Sequence, residues 1–496
     1  MRRKPVLLGI DAGTSGVKVC AFTPDGKMVQ KEQANISVIS RQPGFAELDV
    51  TLYWELVQQT VRSITSNPEI SVIGIGLSTT CPTTITMDDD FNPIGNGIVY
   101  LDNRAADEAR NYELNFESPE AYATLVGNRC SVSTCSASTM MWIRDHEPER
   151  WRNAKHIGML NSFLAAKLTG DSAIDTTQAS YSGIFRLAFP GDWDDELLRI
   201  ADIPRSKLLR ITAPSSRIGG VKNTVAEDLQ LPPGTPVAIG SGDTAAAAFA
   251  IGFTDSHQAF ESAGNSGVLT FVLDTPEFDP LFMNRCHVIP GLWISHGANS
   301  MMGGAIDWLR NNIISEYQDY SVINEQVKEA VPGANGVVFL PYLAGERCPI
   351  WNPHAKAVWY GLTLKNTRLD LLESVFEAGA FSLKQLRDLG QQKLGVAIDS
   401  IIAVGNGTLS DHWCQIKADV LHVNYTTTAV TDASAFGAAL MGGIAAGIFS
   451  EPLDPSIPFL KPEGKTYTPT SESAYKAYMK AFATYNALYP ALSGLM

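Results

Sequence analysis

Cysteine is scarce in this sequence, and the common short motifs of metal and hydrolase sites are missing. Seven cysteines are scattered through 496 residues, and no two form a C-x-x-C pair. This pattern argues against a disulfide framework and against a zinc site. The sequence also lacks H-E-x-x-H, G-x-S-x-G and the G-x-x-x-x-G-K-[ST] phosphate loop, which argues against a zinc protease, a serine hydrolase of that type and a P-loop enzyme.

Positive charge is scarce as well. The chain has 38 basic and 52 acidic residues, a formal net charge of −14. Such a chain repels the phosphate backbone, so a nucleic-acid partner is not expected. An anionic small substrate remains open, provided that the protein builds a local positive site for it.

Long apolar runs are limited to one stretch. Residues 433–450 carry no charge and reach about 18 residues, the lower limit for a spanning helix. The stretch contains four glycines and much alanine, and acidic residues flank it, so we expect a buried, closely packed helix and no membrane partner. The apolar run at residues 6–10 is too short for a signal peptide. These features together predict a cytoplasmic protein.

What the sequence does contain predicts an α/β protein. Hydrophobic residues make up 45% and charged residues 18%, enough apolar material for large cores. Strands at 6–10, 17–22, 27–36 and 71–77 alternate with turns and a helix from about residue 49. Strands and helices alternate again in the second half, which favours mainly parallel pairing.

A short repeat relates the two halves. Residues 13–17 read GTSGV and residues 264–268 read GNSGV, and in each half the segment follows a strand. The offset of 251 residues is about half of the chain. We therefore expect two similar α/β domains, covering residues 1–246 and 247–496.

Several helix ends and faces are predicted from local signals. The first helix should bury one face, and Ser434 should cap the apolar helix at its start. The last helix, 471–488, should stop before Pro490, because the residue before a proline disfavours helix. A strand is expected at 422–426, and helices are expected at 370–389 and at 410–420, the latter capped by Ser410. The face of the first helix should comprise Leu52, Leu56, Val57, Val61 and Ile64.

The first motif with chemical meaning is the segment 11–18, DAGTSGVK. A turn of glycine, threonine and serine presents backbone N–H groups and hydroxyls to one point, which suits phosphate oxygens. Asp11 at the strand end could hold Mg²⁺ directly or through water. An ordinary hairpin turn explains the segment equally well.

The second motif is the segment 240–247, GSGDTAAA. The flanking glycines let a substrate approach Asp243 closely, and its carboxylate would be a good general base for a hydroxyl group. By itself, Asp243 is better explained as a cap of the alanine-rich helix that follows. The two roles can coexist.

Two further segments are weaker signals. Residues 404–410, VGNGTLS, form a glycine-rich turn between a strand and a helix, a place where nucleotides often bind. Asp102 and Arg104 lie two residues apart after a strand and could bind sugar hydroxyls. A surface salt bridge or a cap explains that pair at least as well.

Together and in this order, the motifs resemble those of the FGGY carbohydrate kinases, within the actin-like superfamily of ATPases. The resemblance rests on GIDAGTSGVK at 9–18, GSGDTA at 240–245, GNSG at 264–267, FLPYLAGER at 339–347 and GNG at 405–407. It covers nearly the whole chain, from residue 6 to about residue 447. It implies two ribonuclease-H-like domains around a central cleft, with sugar bound mainly to the first domain and ATP between the two.

The resemblance also implies roles for individual residues. Asp11 would position Mg²⁺, and Asp243 would take the proton from the attacking sugar hydroxyl. The substrate-binding positions would be Thr79, Thr80, Asp102, Arg104 and Asp243. The nucleotide-binding positions would be Gly13, Thr14, Ser15, Lys18, Gly264, Asn265, Ser266, Gly267, Gly405, Asn406 and Gly407. A homodimer is common among such kinases, although no sequence feature demonstrates one here.

The sequence departs from the family where the sugar would bind. Xylulose kinases carry Gln-Met-His after the strand that here ends at residue 77, and this chain has STTCP at 78–82. The tryptophan that is usual before the later acid is Tyr100. Asn265 and Asn406 replace the usual threonine and glycine, and asparagine tolerates unusual backbone angles. The changes at 78–82 put the identity of the sugar in doubt.

The leading hypothesis is an ATP-dependent sugar kinase, with D-xylulose as the best single acceptor and gluconate or another ketose or polyol next. A second hypothesis is a non-catalytic regulator that binds sugar or nucleotide. A third is an actin-like or chaperone-like ATPase with a protein partner. The presence of both Asp11 and Asp243 argues against the regulator, and Asp102 and Arg104 argue against the ATPase.

Overall fold

The computed structural model describes residues 3–314, 320–428, 432–461 and 463–496. The strands and helices up to residue 253 are β1 (Lys4–Ala12), β2 (Gly16–Phe22), β3 (Met28–Asn35), β4 (Glu47–Leu48), α1 (Val50–Thr65), β5 (Ile70–Thr79), β6 (Thr83–Met87), β7 (Gly97–Val99), α2 (Ala106–Glu113), α3 (Pro119–Val126), α4 (Ser136–His146), α5 (Pro148–Asn153), β8 (His156–Gly158), α6 (Leu160–Thr169), β9 (Ile174–Asp175), α7 (Thr176–Ala179), α8 (Asp195–Ala201), β10 (Ile211–Thr212), β11 (Arg217–Gly220), α9 (Asn223–Asp228), β12 (Pro236–Ala238), β13 (Ser241–Gly242) and α10 (Asp243–Ala250).

The elements after residue 253 follow the same alternation. They are β14 (Gln258–Ala263), β15 (Gly267–Leu273), β16 (Met283–Cys286), β17 (Trp293–Ala298), α11 (Gly303–Asn312), α12 (Tyr320–Val327), β18 (Val338–Leu340), β19 (Val358–Tyr360), α13 (Arg368–Leu394), β20 (Ser400–Val404), α14 (Asp411–Leu421), β21 (Asn424–Thr427), α15 (Ala433–Ala445), β22 (Thr466–Tyr467) and α16 (Glu472–Leu492).

The chain forms two compact units that are not continuous in sequence. The first unit contains Met1–Phe253, Asp274–Ile294 and Asp432–Leu460. The second unit contains Thr254–Leu273, Ser295–Thr431 and Lys461–Met496. Helix α15 therefore belongs to the first unit, although it lies near the end of the chain.

The first unit is organised around a mixed sheet. Its strands run in the order β11-β12-β5-β1-β2-β3, and β13 also pairs with β5. Strand β1 is antiparallel to β2 and parallel to β5, and β3 is antiparallel to β2. The middle of β1 is apolar and buried on both faces, as expected of a strand in the centre of an α/β sheet.

Helix α15 packs directly on this sheet, and glycines make the close approach possible. A methyl group on Gly9 of β1 would overlap the carbonyl oxygen of Ala435, and one on Gly76 of β5 would overlap that of Ala438. On the helix side, a methyl group on Gly442 would lie 2.6 Å from the carbonyl carbon of Ile75. The predicted buried, closely packed helix is therefore confirmed. In the described parts of the chain, no helix combines the length and apolarity needed to cross a membrane.

The second unit repeats the central arrangement of the first. Strand β14 is antiparallel to β15 and parallel to β20, as β1 is to β2 and β5. Strand β21 continues the sheet in parallel to β20, and β22 ends it in an antiparallel pair. The repeat read from residues 13–17 and 264–268 thus corresponds to two equivalent β-turn-β units.

The pairing is more mixed than the alternation of elements predicted. Both sheets combine parallel with antiparallel pairs, and the strand predicted at 337–340 lies outside them. It forms β18, which among the described strands pairs with β19 in a separate two-stranded sheet. Alternation of strands and helices gives the chain order, but it does not reveal which sheet a strand joins.

Four local predictions are wrong in detail, and the first two concern α1 and α15. On α1, Leu52 is 42% exposed, and Tyr53 and Thr60 are buried instead. Helix α15 is capped at Asp432, while the Ser434 hydroxyl donates to the carbonyl oxygen of Asp243 at 3.2 Å.

Helix α16 continues through Pro490 to Leu492. Proline is tolerated there because it is exposed and lies in the last turn, where few helical hydrogen bonds are lost. The strand predicted at 422–426 begins two residues later, because His422 adopts a left-handed conformation that ends α14.

Candidate active site

The register of the first sheet places the predicted catalytic residues side by side. Asp11 of β1 lies opposite Ser78 of β5, and Ser78 lies opposite Ser241 of β13. These pairs are parallel, so all three strands end at the same edge of the sheet. Asp243 begins α10 directly after β13. The two motifs found 232 residues apart in the sequence, around Asp11 and Asp243, therefore meet at one edge.

Asp11 is a half-buried residue whose carboxylate is under electrostatic strain. Burial raises its pKa to about 6, against a lowering hydrogen bond from the Ser78 hydroxyl at 2.8 Å. The negative charge of Asp243 raises the pKa further, and the Lys18 ammonium lowers it. Two neighbouring carboxylates that repel each other are a donor set that a divalent cation would stabilise.

The donor set fits Mg²⁺ held partly by substrate. Within the described ranges, no group of three or more histidine, cysteine or acidic side chains could form a complete protein cage for a metal. Mg²⁺ in phosphoryl-transfer enzymes is bound by one or two carboxylates together with water and phosphate oxygens. Asp11 supplies a carboxylate of that kind, so the residues present fit this mode of binding.

The turn after β1 is held by hydrogen bonds that fix its backbone. The Gly13 amide donates to the Gly16 carbonyl oxygen at 2.9 Å, and the Tyr53 hydroxyl lies 2.9 and 2.8 Å from the carbonyl oxygens of Gly13 and Gly16. The Thr14 and Thr80 hydroxyl oxygens are 3.0 Å apart. A residue predicted to bind phosphate and one predicted to bind sugar are thus neighbours.

Lys18 follows this turn but is already paired. Its ammonium group lies 2.8 Å from a carboxylate oxygen of Asp432, and Lys31 contacts the same oxygen at 3.0 Å. Asp432 is the N-cap residue that immediately precedes α15. Lys18 therefore ties the start of α15 to β2, and its predicted role in nucleotide binding stays a prediction.

The cap weighed for Asp243 from the sequence is wrong by one residue, because Gly242 holds the N-cap position of α10, and the role of Asp243 as base stays a prediction. Asp243 is the first residue of α10, and its Oδ1 accepts hydrogen bonds from the Thr244 amide at 2.7 Å and the Thr244 hydroxyl at 3.2 Å. Both bonds end on Oδ1, which leaves Oδ2 as the oxygen to accept a proton. The local helix-start role and a role as base are therefore compatible.

Beside Asp243 lies a buried polar network that sequence reasoning did not find. The Gln178 amide donates to the Thr79 hydroxyl at 2.8 Å, and the Thr177 hydroxyl accepts from the Gly242 amide at 2.9 Å. Asp175 caps the short helix that carries both residues. Thr79 and the residue before Asp243 are therefore held in place by α7, whose residues form no motif.

Asp102 and Arg104 form a buried ion pair rather than a surface one. Nε and Nη2 of Arg104 lie 2.8 to 3.0 Å from the Asp102 carboxylate oxygens, and Nη2 also contacts Glu47 at 2.6 Å. The guanidinium lies over the Phe45 ring at 3.9 Å. The Ala46 amide donates to Asp102 Oδ2 at 2.5 Å. Contact with sugar stays a prediction for both residues, and their partners here are protein groups.

The second unit contains a cavity of about 400 Å³. It brings together four residues predicted to bind nucleotide and two more residues of the glycine-rich segment 404–410, and it adds groups that no motif indicated. Aromatic side chains from Phe376 and Trp413 and the polar groups of Asn324 and Ser410 suit a flat heterocycle with hydrogen-bonding edges. The lining residues are Gly264, Asn265, Gly303, Ile306, Asp307, Asn324, Phe376, Asn406, Gly407, Leu409, Ser410 and Trp413.

The turn that follows β14 is fixed like its counterpart in the first unit. The Gly264 amide donates to the Ser266 carbonyl oxygen at 3.0 Å, and the Gly267 amide donates to Asn299 Oδ1 at 2.7 Å. Ser266, Gly267 and Gly405 are not among the residues that line the cavity. Their predicted contacts with nucleotide stay predictions.

Glu346, in the segment FLPYLAGER, is a buried acid whose ionisation should affect stability. Burial raises its pKa from 4.5 to about 7, against lowering hydrogen bonds from the Ser300 and Arg347 amides at 2.6 and 2.7 Å. The folded state therefore holds the Glu346 proton more tightly than the unfolded state. This contribution is fully present below pH 4.5 and is lost as the pH rises through about 7.

We expect Glu346→Gln to remove this pH dependence. Between pH 5 and pH 8 the wild-type protein should lose up to about 3 kcal/mol that the variant keeps, because glutamine stays neutral and still accepts both amides. Thermal unfolding midpoints at both pH values measure the difference. Glu472→Gln, at an exposed glutamate of α16, is the matched control. An equal midpoint shift for wild type and Glu346→Gln would contradict the expectation.

The comparisons with known proteins agree with this geometry. The pattern described as the FGGY family of carbohydrate kinases, N-terminal domain, matches residues 6–250, and the pattern for the C-terminal domain matches residues 259–446. The chain therefore belongs to the FGGY family of carbohydrate kinases, enzymes that use ATP with Mg²⁺. The predicted two-domain α/β fold and kinase class are confirmed.

Individual relatives match over almost the whole chain. The xylulose kinase of Escherichia coli is 28% identical over 99% of both chains. The gluconokinase of Bacillus subtilis is 25% identical over 97% of this chain and 96% of its own. The crystal structure of xylulose kinase from Rhodospirillum rubrum superposes with a TM-score of 0.91 at 26% identity and covers 99% of both chains.

Proposed function

We propose that this kinase transfers the γ-phosphoryl group of ATP to D-xylulose, forming xylulose 5-phosphate and ADP. The similarity to xylulose kinases over the full length supports this acceptor. The observation that carries the proposal is the meeting of Asp11 and Asp243 at one sheet edge, next to Thr79 and Thr80. Phosphoryl transfer needs this combination of a metal-binding carboxylate and a base near the nucleophile.

In the proposed mechanism, Asp243 Oδ2 accepts the proton of the attacking hydroxyl while Oδ1 keeps its hydrogen bonds to Thr244. The oxygen of that hydroxyl forms a new bond to the γ-phosphorus of ATP. The bond between the γ-phosphorus and the oxygen that bridges to the β-phosphate breaks, and ADP leaves. Asp11 would hold Mg²⁺, which would supply neutralisation of phosphate charge when bound. Gly13, Thr14 and Ser15 offer backbone and hydroxyl donors to phosphate oxygens.

We further propose a division of labour between the two halves of the chain. Residues 1–246 carry the sugar site and the base, and residues 247–496 carry the nucleotide site. The cavity beside Gly264, Asn265, Asn406 and Gly407 supports this division, because its lining suits an adenine ring. A homodimer stays a prediction.

The direct test is ADP release from Mg-ATP over a panel of ketoses, polyols and sugar acids, with a blank that lacks sugar. Strong stimulation by D-xylulose, with product identified as the 5-phosphate, supports the proposal. A flat panel over a low blank overturns the proposed acceptors and leaves the regulator hypothesis. A high blank that no sugar changes supports the ATPase hypothesis instead.

Gluconate is the second candidate acceptor. The full-length similarity to the gluconokinase of Bacillus subtilis favours it, and so does the departure at residues 78–82 from the motif of xylulose kinases. Stimulation by D-gluconate but not by D-xylulose in the same panel would establish it.

We expect Asp11→Asn to weaken the use of Mg²⁺. Asparagine still accepts the bond from Ser78, but it removes the negative charge, so the Mg²⁺ concentration for half-maximal ADP release should rise by about ten-fold or more. A Mg²⁺ titration at saturating ATP and acceptor measures the shift. Asp89→Asn, at an exposed turn position, should leave the titration unchanged. An unchanged titration for Asp11→Asn would remove Asp11 from the metal site.

A further inference from the structure

Arg285 of β16 is a buried cation next to the candidate base. The residue is 2% exposed, and its guanidinium lies over the Tyr181 ring at 4.3 Å. A methyl group on Gly242 would overlap Arg285 Nη1 and would lie 3.6 Å from the Cys81 Cβ. Gly242 immediately precedes Asp243, so the Arg285 guanidinium stands one residue away from the group proposed to accept the proton.

Within the described ranges of the chain, Arg285 forms no direct ion pair. Among the described residues, neither Nε nor Nη1 of Arg285 has a hydrogen-bond partner. Burial lowers the pKa of this guanidinium, but Tyr181, Cys81 and Asp243 raise it, and the result is a pKa above its ordinary value. The group is therefore charged, and a buried charge with unused donors is costly unless a ligand supplies the missing acceptors.

The position of these donors points to the acceptor sugar. Gly242 lies opposite Thr79 in the pairing of β13 with β5, and Thr79 and Thr80 are the residues proposed to contact sugar. A group that accepts hydrogen bonds from Arg285 would therefore lie beside both the base and these threonines. This inference rests on the proposed function of that same site.

We propose that the Arg285 guanidinium donates an N–H hydrogen bond to an sp² oxygen of the acceptor, either a ketone carbonyl or a carboxylate. Guanidinium has only donors, so its best partner is an oxygen that only accepts. A hydroxyl brings a hydrogen of its own, which needs a further acceptor in the same buried place. Arg285 thus selects oxo sugars or sugar acids over the corresponding polyols.

The chemistry of a 2-ketopentose fits this assignment. Its five-membered ring closes through O5, so the hydroxyl at C5 is free for phosphorylation only when the ring is open. In the open chain the carbonyl oxygen at C2 is free as well. A kinase that phosphorylates O5 therefore meets a free carbonyl, and Arg285 supplies the donors for it.

The test compares acceptors that differ only at the oxidised carbon. Binding of D-xylulose against xylitol, and of D-gluconate against D-glucitol, is measured by calorimetry without ATP on wild type, Arg285→Met and Arg285→Lys. For wild type we expect one oxidised member to bind about ten- to a hundred-fold more tightly than its polyol, which is typical of hydrogen bonds to a charged group. The pair with the larger difference in affinity shows whether Arg285 recognises a ketone or a carboxylate.

Arg285→Met should remove that preference while binding of the polyol stays within about two-fold, and Arg285→Lys should restore part of it. Arg210→Met is the control, because Arg210 is an exposed arginine of the same unit that pairs with Asp171. Equal binding of oxidised and reduced members by the wild-type protein would overturn the proposal, even if no variant folds. A preference that survives in Arg285→Met would also overturn it.

The proposed role of Arg285 and the proposed kinase reaction can fail independently of each other. Preferential binding of an oxidised acceptor without acceptor-dependent ADP release would support the role of Arg285 and overturn the kinase reaction on these sugars. ADP release that is equally strong with the polyols would support a kinase and overturn the role of Arg285.

Discussion

Asp243→Asn should lower the turnover number for sugar-dependent ADP release by about 10²- to 10⁴-fold, the range that a general base contributes. Asparagine can keep the hydrogen bond from the Thr244 amide at the start of α10, but it cannot accept a proton. The effect therefore separates the base from the helix-start role. Asp243→Ala should lose the same activity and some stability in addition.

Nucleotide binding distinguishes a lost base from a damaged protein. The dissociation constant for ADP should change by less than about two-fold in Asp243→Asn, because the variant keeps the shape of the site. Asp195→Asn is a matched control, since Asp195 lies in the first turn of α8 and is exposed. If Asp243→Asn kept most of its activity at saturating acceptor, Asp243 would not be the base.

Gly76→Ala should destabilise the first unit severely, by at least about 3 kcal/mol, at the upper end of the cost of overpacking a core. The added methyl group would overlap the Ala438 carbonyl oxygen, which belongs to the backbone of α15 and cannot rotate away. Relief requires the helix to move off the sheet, which would also disturb the contacts of Gly9 and Gly442. Chemical denaturation followed by circular dichroism measures the loss.

Gly191→Ala provides the comparison for Gly76→Ala. A methyl group there would lie 3.8 Å from the Phe189 carbonyl oxygen, an ordinary contact, and Gly191 is exposed. Its effect should stay within about 0.5 kcal/mol, as for most surface substitutions. A Gly76→Ala variant as stable as Gly191→Ala would mean that α15 does not pack tightly on β5.

The elements of this fold were predictable where apolar strands alternate with glycine-rich turns. The strands of the β1-β2 and β14-β15 hairpins follow from such patterns, and so does the repeat that relates them. The position of α15 on the first sheet could not be predicted from the sequence. Its sequence shows that it is buried, but its partners, Gly9 and Gly76, are more than 350 residues away and appear in the sequence as ordinary strand glycines.

The residues of the candidate site also fall into those that the sequence predicts and those that it does not. Asp11 and Asp243 could be found because each lies in a recognisable run of small residues at a strand end. Arg285, Gln178 and Phe376 could not, because each is a single residue in a segment with no local signature. Only the folded chain places Arg285 beside Gly242 and Phe376 in the cavity of the second unit.

Helix α15 lies late in the sequence but packs in the first unit, and this order has a consequence for folding during translation. The glycine-lined face of β1 and β5 is translated within the first 79 residues, whereas its cover ends at Ala445 of 496. On the ribosome, this surface stays uncovered through most of synthesis and is exposed to other nascent chains and chaperones. A nascent chain arrested before residue 433 would lack the helix that completes its first core.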